Sequence, residues 1–149
     1  MAGTMALSKI LVLRENEKKI AQKAYNQSLD SFEKIAKELY DVLRRKEDAE
    51  ETFENAIQST APIDRIKEQA AFIERLNKQI NEVQRRLQIA RAEMEQRQSK
   101  LSVAHVEVKK FEKVIEFRQE IQDENAKRLE NAFMDEISMT QYLSRRSGD

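Results

Sequence analysis

The chain carries few side chains that could perform catalysis or bind a metal, and almost all of them are carboxylates. Its 149 residues include 27 aspartates and glutamates, one histidine and no cysteine. General acid-base catalysis requires carboxylates in a desolvated cleft, and zinc sites require several cysteine or histidine ligands. Both glycines, Gly3 and Gly148, lie at the ends, which excludes an internal phosphate-binding loop. We therefore expect no enzymatic activity, no metal and no cofactor.

The charge balance argues against nucleic acid and lipid as partners. Lysine and arginine number 27, equal to the acidic residues, so the formal net charge is +0. Binding to phosphates or to an anionic membrane surface requires a basic surplus. The apolar cluster Ile10–Leu13 is followed at once by Arg14 and Glu15, which fits neither a signal peptide nor a membrane span. Together with the lack of cysteine, this predicts a cytoplasmic protein that does not insert into membranes.

One apolar seam dominates the second half of the chain. Between Ile73 and Ile115, positions spaced alternately by three and four residues are apolar, with Arg97 as the exception. A mean spacing of about 3.5 residues is the heptad period of a coiled coil. The seam consists of Ile73, Leu76, Ile80, Val83, Leu87, Ala90, Met94, Arg97, Leu101, Ala104, Val108, Phe111 and Ile115. This segment is therefore predicted to be one half of a coiled coil.

A weaker helical pattern precedes the seam, and one proline separates the two. The apolar positions of the first helix are read as Ile10, Leu13, Ile20, Ala24, Phe32, Ile35 (with Ala36), Leu39, Leu43 (with Val42), Phe53 and Ile57. Ser59–Pro62 supplies capping hydroxyls and a residue that can begin a helix but not continue one. We predict an all-α fold, in which helices over about residues 5–58 and 63–144 form an antiparallel coiled-coil hairpin. The bend is placed at residues 59–62, within a single domain over residues 1–149.

The position of the bend also predicts which residues face each other. In an antiparallel hairpin with this bend, facing residue numbers sum to about 121. The expected pairs are Leu39 with Val83, Phe32 with Ala90, Ile20 with Leu101, Leu13 with Val108, and Ile10 with Phe111.

Two features lie outside the predicted core. The second helix outruns the first, which leaves an arm over residues 118–149 without a partner; it carries an apolar row of Leu129, Phe133 and Ile137. Contiguous exposed apolar surface usually marks an interaction site, although such an arm could also fray or pair with a second copy. Phe72 directly precedes seam residue Ile73, so it either packs against the first helix or serves as a docking point.

Several stretches resemble the flagellar export chaperone FliJ, most closely members of this family from Gram-positive bacilli. They are Glu15–Lys18, Phe72–Ile73 with Leu76, Val106–Lys113 and Met134–Ile137. Their order and spacing cover nearly the whole chain. The resemblance implies a non-enzymatic part of the flagellar type III protein export apparatus, needed for motility. It also implies a stalk that binds the export ATPase ring, links it to the membrane export gate protein, and contacts substrate-specific export chaperones.

The resemblance further implies where the partners bind and where the protein resides. Phe72 and Leu76 match the surface that engages the export gate in the family, whereas no match extends to Gln79 or Val83. The implied ATPase contact comprises Leu129, Phe133, Met134, Asp135, Glu136 and Ile137. The protein would be cytoplasmic and peripherally associated with the membrane export apparatus. Two alternatives stay open, namely the equivalent stalk of a virulence injectisome and a generic scaffold that self-associates through its arm.

Overall fold

The computed structural model describes residues 2–147, and these residues form two long helices. Helix α1 spans Ala2–Gln58 and helix α2 spans Ile63–Ser147, with no strand in the described chain. The predicted all-α hairpin is therefore confirmed. Met1, Gly148 and Asp149 lie outside the described residues, and the last two of these are the end of the expected arm. Contacts divide the chain into two compact units. The bend unit is Lys18–Val103, and the terminal unit combines the described residues up to Glu17 with those from Ala104 onwards.

The bend unit reverses the chain over Ser59–Pro62. At the end of α1, the Ala61 N–H donates to the Ala56 carbonyl at 3.1 Å, and Thr60 adopts a φ of 56°. This is the Schellman arrangement, in which glycine normally occupies the left-handed position. Helix α2 begins with the Pro62 carbonyl, which accepts from the Arg65 N–H at 3.0 Å. The Ser59 and Thr60 hydroxyls donate to carbonyls at the end of α1, so they do not cap α2.

Burial along α2 follows the predicted seam. Every seam position from Ile73 to Ile115 is buried or half-buried, and Val83 is the most enclosed large side chain. The seam also continues towards the bend through Ile66 and Gln69, which are half-buried. Arg97 fits because its guanidinium reaches out to Glu93 at 3.0 Å, so its stem fills the seam while its charge stays near water.

The seam of α1 differs from the prediction. Leu13, Ile20, Leu43 and Ile57 were expected in the core, but all are exposed, Leu13 by 59% and Ile20 by 70%. The buried or half-buried heptad positions are Leu7, Leu11, Arg14, Lys18, Ala21, Tyr25, Ser28, Phe32, Ile35, Leu39, Val42, Lys46, Ala49, Phe53 and Ala56. One residue turns a helix by about 100°, so a one-residue error in phase moves a side chain out of the core. The positions of the large apolar side chains predicted the wrong core face of α1, because small or charged residues occupy much of its actual seam.

Contacts between the helices fix the register within each unit. In the bend unit, Val42 packs with Leu76 and Ile80, and Arg86 pairs with Glu38 at 3.0 Å. The Arg91 guanidinium lies 5.7 Å from the centre of the Phe32 ring, next to the predicted partner Ala90.

In the terminal unit, the Arg14 guanidinium lies 5.8 Å from the centre of the Phe111 ring. The predicted pair of Leu13 with Val108 in this unit is wrong, and so is the pair of Ile20 with Leu101 in the bend unit, because Leu13 and Ile20 are exposed. Their places in the seam are taken by the next residues along the helix, Arg14 and Ala21.

Candidate functional site: two exposed apolar surfaces

The carboxylates lie on helix surfaces, and several of them pair with neighbouring cations. Arg85 donates to Glu82 at 2.8 Å, and this hydrogen bond lowers the pKa of the Glu82 carboxyl below its usual value. Both side chains are exposed, so the shift reflects a surface ion pair and not a desolvated acid or base. Within the described chain, no group of histidine, cysteine, aspartate or glutamate side chains is placed to hold a metal ion. His105 is exposed on the flank of α2.

The first candidate surface is the C-terminal arm of α2, here residues 118–147. The Arg118 side chain lies against Gly3, near the start of α1. The approach is so close that a Cβ atom on Gly3 would lie 2.7 Å from the Arg118 Nη1 atom. Beyond this point, the described part of α1 offers no further residues to pair with α2 in this unit. Nearly every arm residue is accordingly exposed, and only Gln122 and Ile137 are half-buried.

The predicted ATPase-contact residues all lie on this arm. Leu129 is 74% exposed, Phe133 62% and Met134 56%, and the carboxylates of Asp135 and Glu136 are exposed as well. Ile137 is half-buried, and Phe133 and Met134 precede it by one helical turn. The spacing of four residues places Leu129, Phe133 and Ile137 in one row along the helix. The arm therefore presents large apolar side chains to solvent.

The arm also carries a signal that the sequence analysis missed. Continuing the seam from Ile115 in steps of three and four passes the polar positions Arg118, Gln122 and Asn125. It then reaches Leu129, Ala132, Glu136, Met139 and Leu143. The heptad seam thus resumes in phase, and both Met139 and Leu143 are exposed. Both residues are among the apolar side chains that the sequence places on the arm, and counting through the polar interruption assigns them to the heptad seam as well.

Besides the arm, the terminal unit carries a stripe of exposed apolar side chains next to the seam. On α2 it comprises Val114, Phe117 and Ile121, and Leu13 on α1 is exposed as well. In an antiparallel coiled coil, the g position of the heptad, which directly precedes the core a position, faces the g position of the other helix. The Glu38–Arg86 ion pair of the bend unit is such a pair. The equivalent residues of the terminal unit are Ile10 and Val114, so both helices contribute to this face.

The second candidate surface is a shallow cleft beside Phe72, near the bend. It is lined by Ala49 and Thr52 of α1 and by Glu68, Gln69 and Phe72 of α2. Phe72 is 40% exposed, and the Arg75 guanidinium lies 5.8 Å from the centre of its ring. The ring therefore lines the cleft and remains partly accessible to solvent.

Leu76, the other residue expected at the export gate, lies in the core. It is 3% exposed and packs with Val42 and Ile80. The reason is its heptad phase, since Leu76 occupies a seam position whereas Phe72 lies on the flank one turn earlier. The structure consequently does not bring the two side chains to one accessible surface.

Two comparisons with known proteins, one with family models and one with individual proteins, identify the same family. The family described as Flagellar FliJ protein matches residues 3–147 of this chain. The Flagellar FliJ protein of Bacillus subtilis (strain 168) is 32% identical over 143 residues, covering 96% of this chain and 97% of that protein. No solved structure matches the chain. In the described residues, neither helix contains a stretch long and apolar enough to cross a membrane.

Proposed function

Because the chain belongs to the flagellar FliJ family, we propose that it is a non-enzymatic stalk and chaperone of the flagellar type III export apparatus. In this role it binds the export ATPase ring and links that ring to the membrane export gate protein. It also contacts the substrate-specific export chaperones. The protein acts in the cytoplasm, at the periphery of the membrane export apparatus.

The observation that carries this proposal is the exposed arm of α2. A helix that displays Leu129, Phe133, Met139 and Leu143 to water gains stability when a partner covers these side chains. Burial of one such side chain contributes about 1.5–3 kcal/mol before the costs of association are subtracted. A groove formed by subunits of a ring suits this helix, since it can cover several faces at once. The neighbouring stripe of Val114, Phe117 and Ile121 extends the proposed ATPase contact.

The composition of the arm favours a different protein over a second copy of this chain. Glu136 occupies a seam position between Ala132 and Met139. If two arms paired along their seams in antiparallel order, each copy would place this carboxylate in the apolar contact. An unpaired buried carboxylate is strongly unfavourable, so pairing of two arms along their seams is opposed, whereas a different protein can place a cation opposite Glu136.

The gate contact is proposed at Phe72. A partly exposed aromatic ring beside a cleft is a common anchor of protein interfaces. Leu76 contributes to this contact from the core, where it supports the turn of α2 that presents Phe72. The ATPase and gate contacts together make the protein a connector with two binding surfaces.

The ATPase contact is tested by ATP hydrolysis and binding with the double variant Phe133→Ala, Ile137→Ala. We expect the wild-type chain to bind the flagellar export ATPase of the same organism and to stimulate hydrolysis. The double variant should bind at least about tenfold more weakly, with its thermal unfolding nearly unchanged, because these residues lie outside the hairpin core. The matched control is Ile20→Ala with Ile89→Ala, which removes two exposed isoleucines from the bend unit.

Three results would count against this proposal. A large drop in melting temperature of the double variant would place Phe133 and Ile137 in the folded core. Equal loss of binding in the control would show that the contact does not depend on the arm. A wild-type chain that neither binds nor stimulates the ATPase, but has the mass of a dimer by light scattering, would favour the self-associating scaffold.

A further inference from the structure

We propose that residues 2–17 of α1 form a strap that detaches from α2 and thereby regulates binding of the export ATPase. In the attached state the strap covers the α2 seam over residues 104–115. In the detached state this seam and the apolar seam positions of the arm are open together, so that one partner helix can cover both. The inference rests on the ATPase contact proposed above and adds its regulation.

The strap is held by a loosely packed stretch of seam. Of the seven fully buried apolar residues in the described chain, only Val108 belongs to the terminal unit. The seam positions of the strap are Thr4, Leu7, Leu11 and Arg14, and all four are half-buried. Two leucines therefore supply most of its apolar contact with α2. Segments with few buried apolar contacts open at a lower free energy than the core.

Arg14 weakens the strap because it places a charged side chain in the seam. Its Nε atom is buried, and no acceptor among the described residues lies within hydrogen-bonding distance of it. Its Nη1 atom donates to both carboxylate oxygens of Glu17, at 3.0 and 3.1 Å, but this pair lies within the strap. Detachment therefore preserves the ion pair and lets water reach the buried nitrogen. The cost at this position is the contact of the guanidinium with the Phe111 ring, whose centre lies 5.8 Å away.

Charged side chains do not fasten the strap either. Among the described residues, no ion pair joins the strap to α2. The g positions that carry the cross-helix ion pair of the bend unit are occupied here by Glu17 and by the half-buried Glu107. Like charges at facing positions favour separation of the helices. At the end of the strap, Gly3 meets the exposed side chain of Arg118 instead of an apolar residue.

Detachment opens a seam that is in phase with the arm. The covered seam ends at Ile115, and the same heptad phase reaches apolar residues again at Leu129 and Met139. Val108 and Phe111 are large side chains that only the open state offers to a partner. A partner helix that covers both stretches binds the open state more tightly than the closed one, so binding and detachment are coupled. The attached strap consequently lowers the apparent affinity for the ATPase.

Detachment is first measured on the free full-length chain by hydrogen exchange. Amides of residues 5–17 should exchange at least about a hundredfold faster than those of residues 28–56, which lie in the same helix. Equal protection of the two stretches would overturn the strap.

The variant Arg14→Leu tests whether the charged seam residue sets the open fraction. We expect exchange of the whole strap to slow at least about fivefold, because leucine packs in the seam without a buried charge. Affinity for the ATPase, measured by isothermal titration calorimetry, should fall in the same proportion, since apparent affinity scales with the open fraction. The control Arg45→Leu, at an exposed position of α1 in the bend unit, should change neither value. Faster strap exchange in Arg14→Leu would contradict the proposal.

A disulfide that locks the strap gives the decisive test, since the chain has no cysteine of its own. Leu7 and Ile115 occupy facing seam positions between the points where Gly3 and Arg14 contact α2. With Leu7→Cys and Ile115→Cys, the oxidised chain should bind the ATPase at least about tenfold more weakly than the reduced chain. Dithiothreitol should restore the affinity.

The matched control is Ala49→Cys with Ile73→Cys, which places the same bond at half-buried seam positions of the bend unit. Its affinity for the ATPase should not depend on oxidation. If the locked strap binds as tightly as the reduced chain, or more tightly, the ATPase recognises the closed hairpin; the strap is then refuted, but the ATPase contact stands. If the wild-type chain does not bind the ATPase, the proposed contact itself is refuted.

Discussion

The substitutions Leu76→Ala and Phe72→Ala should have opposite effects on stability and on gate binding, although the two residues lie one turn apart. Leu76 is 3% exposed and packs with Val42 and Ile80. Truncation to alanine removes three carbon atoms from the core, which costs about 2.5 kcal/mol at about 0.8 kcal/mol for each. The remaining cavity adds to this, so we expect Leu76→Ala to cost about 3 kcal/mol in total.

Phe72→Ala should cost much less, because its ring is 40% exposed and lies outside the packed cluster of Val42, Leu76 and Ile80. We expect about 1 kcal/mol or less. Urea titration followed by circular dichroism at 222 nm measures both values, and an unchanged slope shows that the unfolded surface is comparable. Gate affinity is then measured at a temperature well below either transition. There Leu76→Ala should bind within threefold of wild type, whereas Phe72→Ala should lose at least about tenfold.

Two results would refute this reasoning. A cost below about 1 kcal/mol for Leu76→Ala would show that the side chain is not in a packed core. If Leu76→Ala were fully folded at the temperature of the assay and still lost as much affinity as Phe72→Ala, Leu76 would contact the gate directly. The hairpin would then have to open on binding.

Further predictions concern the seam, the bend and one ion pair. Leu11→Ala should destabilise the protein by about 1–2 kcal/mol and Leu13→Ala by less than about 0.5 kcal/mol, measured by urea unfolding; equal costs would contradict the corrected seam of α1. Thr60→Gly should raise the unfolding free energy by about 1 kcal/mol, because glycine tolerates the positive φ, and a loss of stability would exclude strain at this position. Arg85→Gln should raise the pKa of Glu82 towards its ordinary value in a carboxyl NMR titration, since the lost hydrogen bond favours the ionised form; an unchanged pKa would show that the pair does not persist in solution.

The seam of α2 could be predicted from the sequence because apolar residues occupy nearly every heptad position. Helix α1 lacks this property, since Lys18, Ala21 and Ser28 occupy seam positions while Ile20 lies outside. Ser28 is buried although polar, because its hydroxyl donates to the Tyr25 carbonyl at 2.7 Å within the same helix. A search for the largest apolar residues therefore selects the wrong face of α1. Extending one strict heptad phase from Phe32 in both directions would have selected the right one.

The candidate surfaces were predictable to different degrees. The arm followed from the unequal lengths of the two helices, which the sequence reveals through the position of its single internal proline. The exposure of Phe72 followed from its place beside the seam. The burial of Leu76 could also have been deduced, because the same seam includes it. The burial of the Gln69 Oε1 atom could not be predicted, because it depends on packing between the two helices, which no pattern within one helix reports.

The most direct test of the central claim is whether the chain connects its two proposed partners. The soluble portion of the export gate protein is immobilised, the export ATPase is added, and its retention is measured with and without this chain. We predict that the wild-type chain retains the ATPase on the immobilised gate protein. With Phe72→Ala, neither the chain nor the ATPase should be retained. With Phe133→Ala and Ile137→Ala, the chain should be retained on the gate protein but should no longer hold the ATPase. Equal retention of the ATPase without the chain, or displacement of the chain from the gate by the ATPase, would contradict a connector with two binding surfaces.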